Sequence, residues 1–222
     1  MYKKNQIIEG TFNLIADEGF RSLNMAKIAK RVGMAQSSIF YHFKNKDELL
    51  NAVLQKIGLL LIDNVEKAKD AHEEASNCLH FLIMRNIDIF RANLSGLIVF
   101  FFDSLYYGNP IQKATVQEHI TNYLKKVEEI IRQGQTNQTV RSDACPRTLS
   151  LIFFGMTLPP TPLSHAASDN YNGSDNVDNI WFFFRRSILP RTGQECEPHV
   201  HIGSDERIRK WIKKLQLLAP VL

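Results

Sequence analysis

Residues 23–50, LNMAKIAKRVGMAQSSIFYHFKNKDELL, hold two short helices and the start of a third, and that density leaves little freedom in how the stretch folds. Met25, Ile28, Ala29 and Val32 recur at helical spacing. Asn24 precedes them, where a short polar side chain caps the first free N–H groups. Gly33 follows, where a left-handed residue without a Cβ closes a helix. After Met34 and Ala35 a second helix runs from Gln36 to His42, with Ile39, Phe40 and Phe43 expected inward and Gln36, Ser37, Tyr41 and His42 outward. Asn45 followed by Glu48 is a capping-box pair that opens a third helix.

Two short helices joined by a glycine turn form the device that lays its second helix into the major groove of DNA. The stretch resembles the DNA-binding region of the tetracycline-repressor (TetR) family over about residues 5–54. Ile28-Ala29, Gly33, the run Ser38-Ile39-Phe40-Tyr41-His42-Phe43, Lys46 and Glu48-Leu49 carry the likeness. Three positions depart from the family pattern. Ala35 stands where serine would cap the second helix, Ser37 where glycine is common, and Phe40 where tyrosine could reach a phosphate.

Charge agrees with a nucleic-acid partner. Residues 1–46 hold eight Lys or Arg against Glu9, Asp17 and Glu18, while the rest of the chain holds 19 against 20. The excess positive charge therefore sits in the reading module, as neutralisation of phosphates requires. No apolar run reaches the roughly 18–20 residues of a membrane helix, and the start of the chain lacks a signal-peptide core. Cys78, Cys145 and Cys196 are odd in number and widely spaced, which argues against a disulfide framework. The expectation is a cytoplasmic protein without membrane partners.

The remaining periodicity is helical throughout. Ile7, Ile8, Thr11, Phe12, Leu14 and Ile15 stripe a first helix ended by Gly19. A long amphipathic helix from Asp47 to about Val65 links the module to the larger part of the chain. Lys67 to Ser76 reads as helix ends and a turn, Asn77 to Phe90 as helix, and LIVFFFDSLYY (97–107) as a buried helix, since all its neighbours are helical. A long helix begins at Pro110, another at Pro146, a loop covers Thr157 to Asn176, a helix runs from Asp178 to Leu189, and Ser204 caps a last one. The fold expected is all-α: a three-helix helix-turn-helix domain (1–48) and a larger helical ligand-binding and dimerisation domain (49–222).

In the reading module, Gln36 and Ser37 open the second helix where side chains reach base edges, with Ser38 beside them. The resemblance implies that Tyr41, His42 and Lys46 hold the phosphate backbone, and Asn24 and Lys27 are further phosphate candidates. It also implies a small-molecule effector, for which Phe81, Met84, Phe100, Phe101, Tyr106 and Tyr123 are the candidate aromatic wall. In order along the chain, the helices near 146–158 and 178–189 match the family's dimer interface, so Phe153, Gly155, Trp181 and Phe184 are the interface candidates.

Cys196, His199 and His201 are the one metal-like cluster, without the second paired motif that a zinc site needs, so no metal or cofactor is expected. No P-loop, nucleophile elbow or HExxH motif points to an enzyme. The leading expectation is a homodimeric repressor that a small molecule releases from an inverted-repeat operator in double-stranded DNA. Its rivals are a DNA-binding protein whose helical domain recruits a partner, and an enzyme or metal sensor built on the Cys/His loop.

Overall fold

The computed structural model describes residues 2–89, 95–157 and 173–190, and every regular element among them is a helix. In chain order these are α1 (Tyr2–Glu18), α2 (Met25–Val32), α3 (Gln36–His42), α4 (Lys46–Ala71), α5 (Ala75–Ile89), α6 (Ser95–Tyr107), α7 (Pro110–Thr136), α8 (Pro146–Thr157) and α9 (Gly173–Ile188). Met1–Pro190 groups as one compact unit and Arg191–Leu222 as another. The second unit lies outside the described residues. With it go the Cys196, His199 and His201 cluster and the helix expected after Ser204. The prolines at 159, 160 and 162 and Phe90 lie outside them too.

Two helix bounds differ from expectation by more than a turn. α4 continues to Ala71 rather than ending near Val65. The charged residues after Val65 form its solvent face, while Val65 and Ala68, three apart, stay fully buried. α9 begins at Gly173, so residues 173–176 are helical and not loop.

The apolar interior forms two clusters. One gathers Ile7, Phe12, Ile15, Ile28, Ile39, Phe43, Leu49 and Val53 from α1 to α4, and it also takes Leu97, Phe100 and Phe101 from α6. The other joins Val65 and Ala68 of α4 to Leu79 and Leu82 of α5, Tyr123 and Val127 of α7, Phe153 of α8, and Phe184 and Ile188 of α9. α4 runs through both and lies along α7. Its 26 residues span roughly 39 Å at 1.5 Å per residue.

Candidate nucleic-acid interface

The reading helix is positioned by local chemistry on both sides. Asn24 Oδ1 accepts the Lys27 N–H at 2.9 Å, which fixes the start of α2. Gly33 closes it at φ 68°, ψ 33°, and the Met34 N–H turns back to the Ala29 carbonyl at 3.1 Å. Ala35 opens α3 with no side-chain cap. Packing fixes this seven-residue helix instead: Ile39 and Phe43, four apart, are 0% and 1% exposed. At the far end Asn45 Oδ1 accepts the Glu48 N–H at 2.8 Å and starts α4. Glu48 Oε2 accepts the Lys44 N–H at 2.8 Å, one residue earlier than a capping box would have it.

This anchoring turns one row of α3 outward. Gln36, Ser37, Ser38 and Tyr41 are exposed, and His42 is half-buried with its ring edge-on to Tyr41, centroids 5.2 Å apart. Phe40, expected inward, is 43% exposed. It sits about 100° around the helix from Ile39, and a helix this short buries one stripe. Phe40 therefore lies one turn beyond Gln36 on the free surface. Its signal in the sequence was the i, i+4 pairing of Ile39 with Phe43, which leaves Phe40 off the buried stripe.

The cations behind this row are already engaged. Lys46 Nζ donates to the Leu23 carbonyl at 2.5 Å and ties the start of α4 to the residue before Asn24. Lys27 Nζ bridges Glu18 Oε2 at 3.1 Å and Ser22 Oγ at 3.2 Å, and Arg31 pairs with Asp17 at 2.7 Å. Each ammonium keeps further N–H donors for a phosphate, while the Asn24 carbonyl oxygen is spent on its helix.

Residues 7–53 match the family model described as bacterial regulatory proteins, tetR family. That stretch is a TetR-family DNA-binding domain. The chain is 24% identical over 153 residues to the fatty acid metabolism regulator protein of Bacillus subtilis, a span covering 69% of this chain and 78% of that one. Among solved structures, the B. subtilis regulator FadR in complex with stearoyl-CoA aligns with a TM-score of 0.69 at 21% identity, covering 83% of this chain and 98% of that one. A Saccharomonospora viridis regulator solved with choline aligns with a TM-score of 0.75 at 18% identity, covering 86% and 99%. The chain is thus a DNA-binding transcriptional regulator with a helix-turn-helix, and the relatives it matches are regulators rather than enzymes. No helix among its described residues is long and apolar enough to cross a membrane.

In the body of the regulator, the six residues named as an aromatic wall do not form one wall. Phe100 and Phe101 are buried in the cluster of the reading module, where the Phe100 ring lies 5.3 Å from that of Phe20. Tyr123 is fully buried in the other cluster, with Phe81 and Met84 half-buried against it. Tyr106 is 68% exposed on the outside of α6. The ring beside Tyr123 is Phe154, 5.5 Å away and not singled out in the sequence, and it lies 6.3 Å from Phe102. Asn86 Nδ2 donates to the Tyr123 hydroxyl at 3.1 Å, and burial pushes that phenol up to about 12.

The interface candidates divide in the same way. Phe153 and Phe184 are 0% and 2% exposed, with rings 5.4 Å apart, so they belong to the regulator's own core. Trp181 is half-buried and stacks on His80 at 4.8 Å. Gly155 alone of the four faces open space. The free apolar surface of these helices is instead Leu151, Ile152, Phe182 and Phe183, the last 70% exposed.

One polar feature escaped the sequence. Along the α4–α7 seam Thr115 Oγ1 donates to Asn51 Oδ1 at 2.9 Å and accepts from Gln55 Nε2 at 3.4 Å. Gln55 Oε1 accepts from His119 Nε2 at 2.9 Å. Burial holds the His119 imidazole below its usual pKa, with Glu118 opposing weakly. The i, i+4 spacing of Asn51 with Gln55, and of Thr115 with His119, was the readable sign.

Proposed function

We propose that this regulator is a dimeric repressor that binds an inverted-repeat operator through Gln36, Ser37, Ser38, Phe40 and Tyr41, and leaves it when a small organic molecule occupies the body. The exposed row of α3, held rigid from below by Ile39 and Phe43, is the observation that carries the DNA-reading half. Gln36 is suited to adenine, and Phe40 offers an apolar surface where a hydroxyl would have met phosphate. His42, Lys46, Lys27 and the Asn24 amide serve the backbone. Residues 1–48 act as the reading module and 49–222 as the body.

The switch is supported by the way the two parts are joined. α4 is continuous from the end of the reading helix into the second core, and α6 reaches back to the module. A Cβ on Gly96 would stand 2.5 Å from the Ile15 carbonyl oxygen, so α6 and α1 touch backbone to side of helix. A ligand that favours one placement of α6 and α4 over another shifts the separation of two reading helices, and weakens operator binding by its differential affinity for the two states. The dimer is supported by Leu151, Ile152, Phe182 and Phe183, large apolar side chains left uncovered on α8 and α9 beside open Gly155.

Selection of bound sequences from a random DNA pool at two salt concentrations tests the reading. An enriched inverted repeat with half-sites about one helical turn apart, released by a stabilising compound, supports it. Salt-sensitive, sequence-blind retention would sink it. A second reading, recruitment of a protein partner by the body, rests on Tyr106, Tyr107 and Ile111, which are 68%, 83% and 67% exposed around the α6–α7 turn. Operator occupancy that no compound changes would favour that reading.

A further inference from the structure

Asn86 and Tyr123 form a polar pair inside the second cluster, 4% and 0% exposed, on α5 and α7. Asn86 spends its amide N–H on the phenol oxygen, and its Oδ1 is the one buried side-chain N or O atom among the described residues with no hydrogen-bond partner. The phenol accepts that bond and keeps its own proton to give. The pair therefore shows one open acceptor and one open donor side by side. Turning the amide over exchanges the roles and leaves the same two functions open.

An orphaned buried carbonyl oxygen costs the full desolvation of the group, so a native core keeps one where something else completes it. The surroundings point to a ligand group. Phe154, with its ring 5.5 Å from Tyr123, and Phe102 beyond it are only half-buried, so the pair adjoins aromatic surface that other atoms can reach. The pair itself carries no charge: the phenol stays protonated at neutral pH, and Arg85, next to Asn86 in the chain, is exposed.

We propose that Asn86 and Tyr123 are an uncharged anchor for a hydroxyl or amide group on the effector, so that the effector is a neutral, largely apolar molecule bearing such a group. This rests on the ligand-released reading above and narrows it. A hydroxyl or amide both donates and accepts, and satisfies the two open functions at once. A carboxylate brings a negative charge to a buried site that holds no cation among the described residues, at a cost well beyond that of an unpaired neutral group. An ether or thioester accepts only and leaves the open acceptor of the pair unsatisfied.

The test uses the full chain and a ten-carbon series: 1-decanol, decanamide, decyl methyl ether and sodium decanoate. Binding is followed by calorimetry and operator release by fluorescence anisotropy. Decanol and decanamide should bind roughly tenfold more tightly than the ether, the one further hydrogen bond to an otherwise unpaired buried acceptor being worth about that factor, and decanoate no better than the ether. In Asn86→Leu and in Tyr123→Phe the preference should fall to threefold or less. Tyr123→Phe removes one oxygen and serves if the leucine variant does not fold. No preference in the parent, the same preference in the variants, or no binding by any of the four would overturn the anchor.

Stearoyl-CoA separates the two ideas. If it releases the operator equally from the parent and both variants, the switch stands and the anchor falls. If decanol binding depends on Asn86 while no compound alters operator occupancy, the anchor stands and the switch falls.

Discussion

His119 fills the space that a side chain on Gly58 would need: a Cβ there would stand 2.1 Å from the imidazole Cγ. The closeness lets α4 and α7 meet tightly enough for Gln55 to bond His119. Gly58→Ala should therefore destabilise the protein, because overpacking costs about 1–3 kcal/mol against a helix-propensity gain of at most about 1 kcal/mol. In a His119→Ala background the same change should be neutral or stabilising. Urea unfolding of the four proteins checks this sign reversal, and additive losses would refute the contact.

The same histidine sets a pH dependence. Burial lowers its folded pKa below the ordinary 6.5. The unfolded chain then binds a proton that the folded chain resists, so stability is complete above 6.5 and declines as pH falls toward the lowered value. His119→Gln, which keeps a polar group in the seam without titrating, should lose less stability between pH 7.5 and 5. Parallel curves for the two proteins would argue that His119 ionises freely.

Phe40 and Ile39 are neighbours with opposite expected behaviour. Ile39→Ala should cost about 2–5 kcal/mol, as a buried aliphatic deletion does. Phe40→Ala should stay within about 0.5 kcal/mol, the range of an exposed site, yet change which operators are selected. Equal melting losses would place Phe40 back in the core.

Gln36 and Lys46 should also part company on DNA. Gln36→Ala is expected to relax preference at one base position by about 1–3 kcal/mol. Lys46→Ala should weaken all sequences alike and reduce the salt slope by about one. It should also lower stability, since Lys46 Nζ holds the Leu23 carbonyl. Titration against matched and mismatched operators at several salt concentrations distinguishes the two, and identical profiles would contradict the assignment.

For assembly, Phe183→Asp or Ile152→Asp should yield monomers that remain folded, whereas Phe153→Ala should unfold the body by removing a side chain that is 0% exposed. Sedimentation velocity with circular dichroism reads both outcomes. A Phe183→Asp protein with unchanged sedimentation would move the interface elsewhere.

The features legible in the chain alone are local ones. The Asn24 and Asn45 caps, the left-handed Gly33, the bounds of α2 and α3 and the all-helical character are written in side chains within a few residues of the backbone groups they satisfy. The resemblance to the TetR family lies in the same short stretch. Helix packing, in contrast, settled which of two adjacent apolar residues faces outward, and which distant polar residues meet. Phe40 beside Ile39, and Ile152 and Phe183 beside Phe153 and Phe184, have neighbouring sequence positions but opposite exposures, because helix rotation is set by the partner helix. Gln55 with His119, and Asn86 with Tyr123, are 64 and 37 residues apart. No local pattern couples such positions; only the packing of α4 and α5 against α7 brings their side chains within hydrogen-bonding reach.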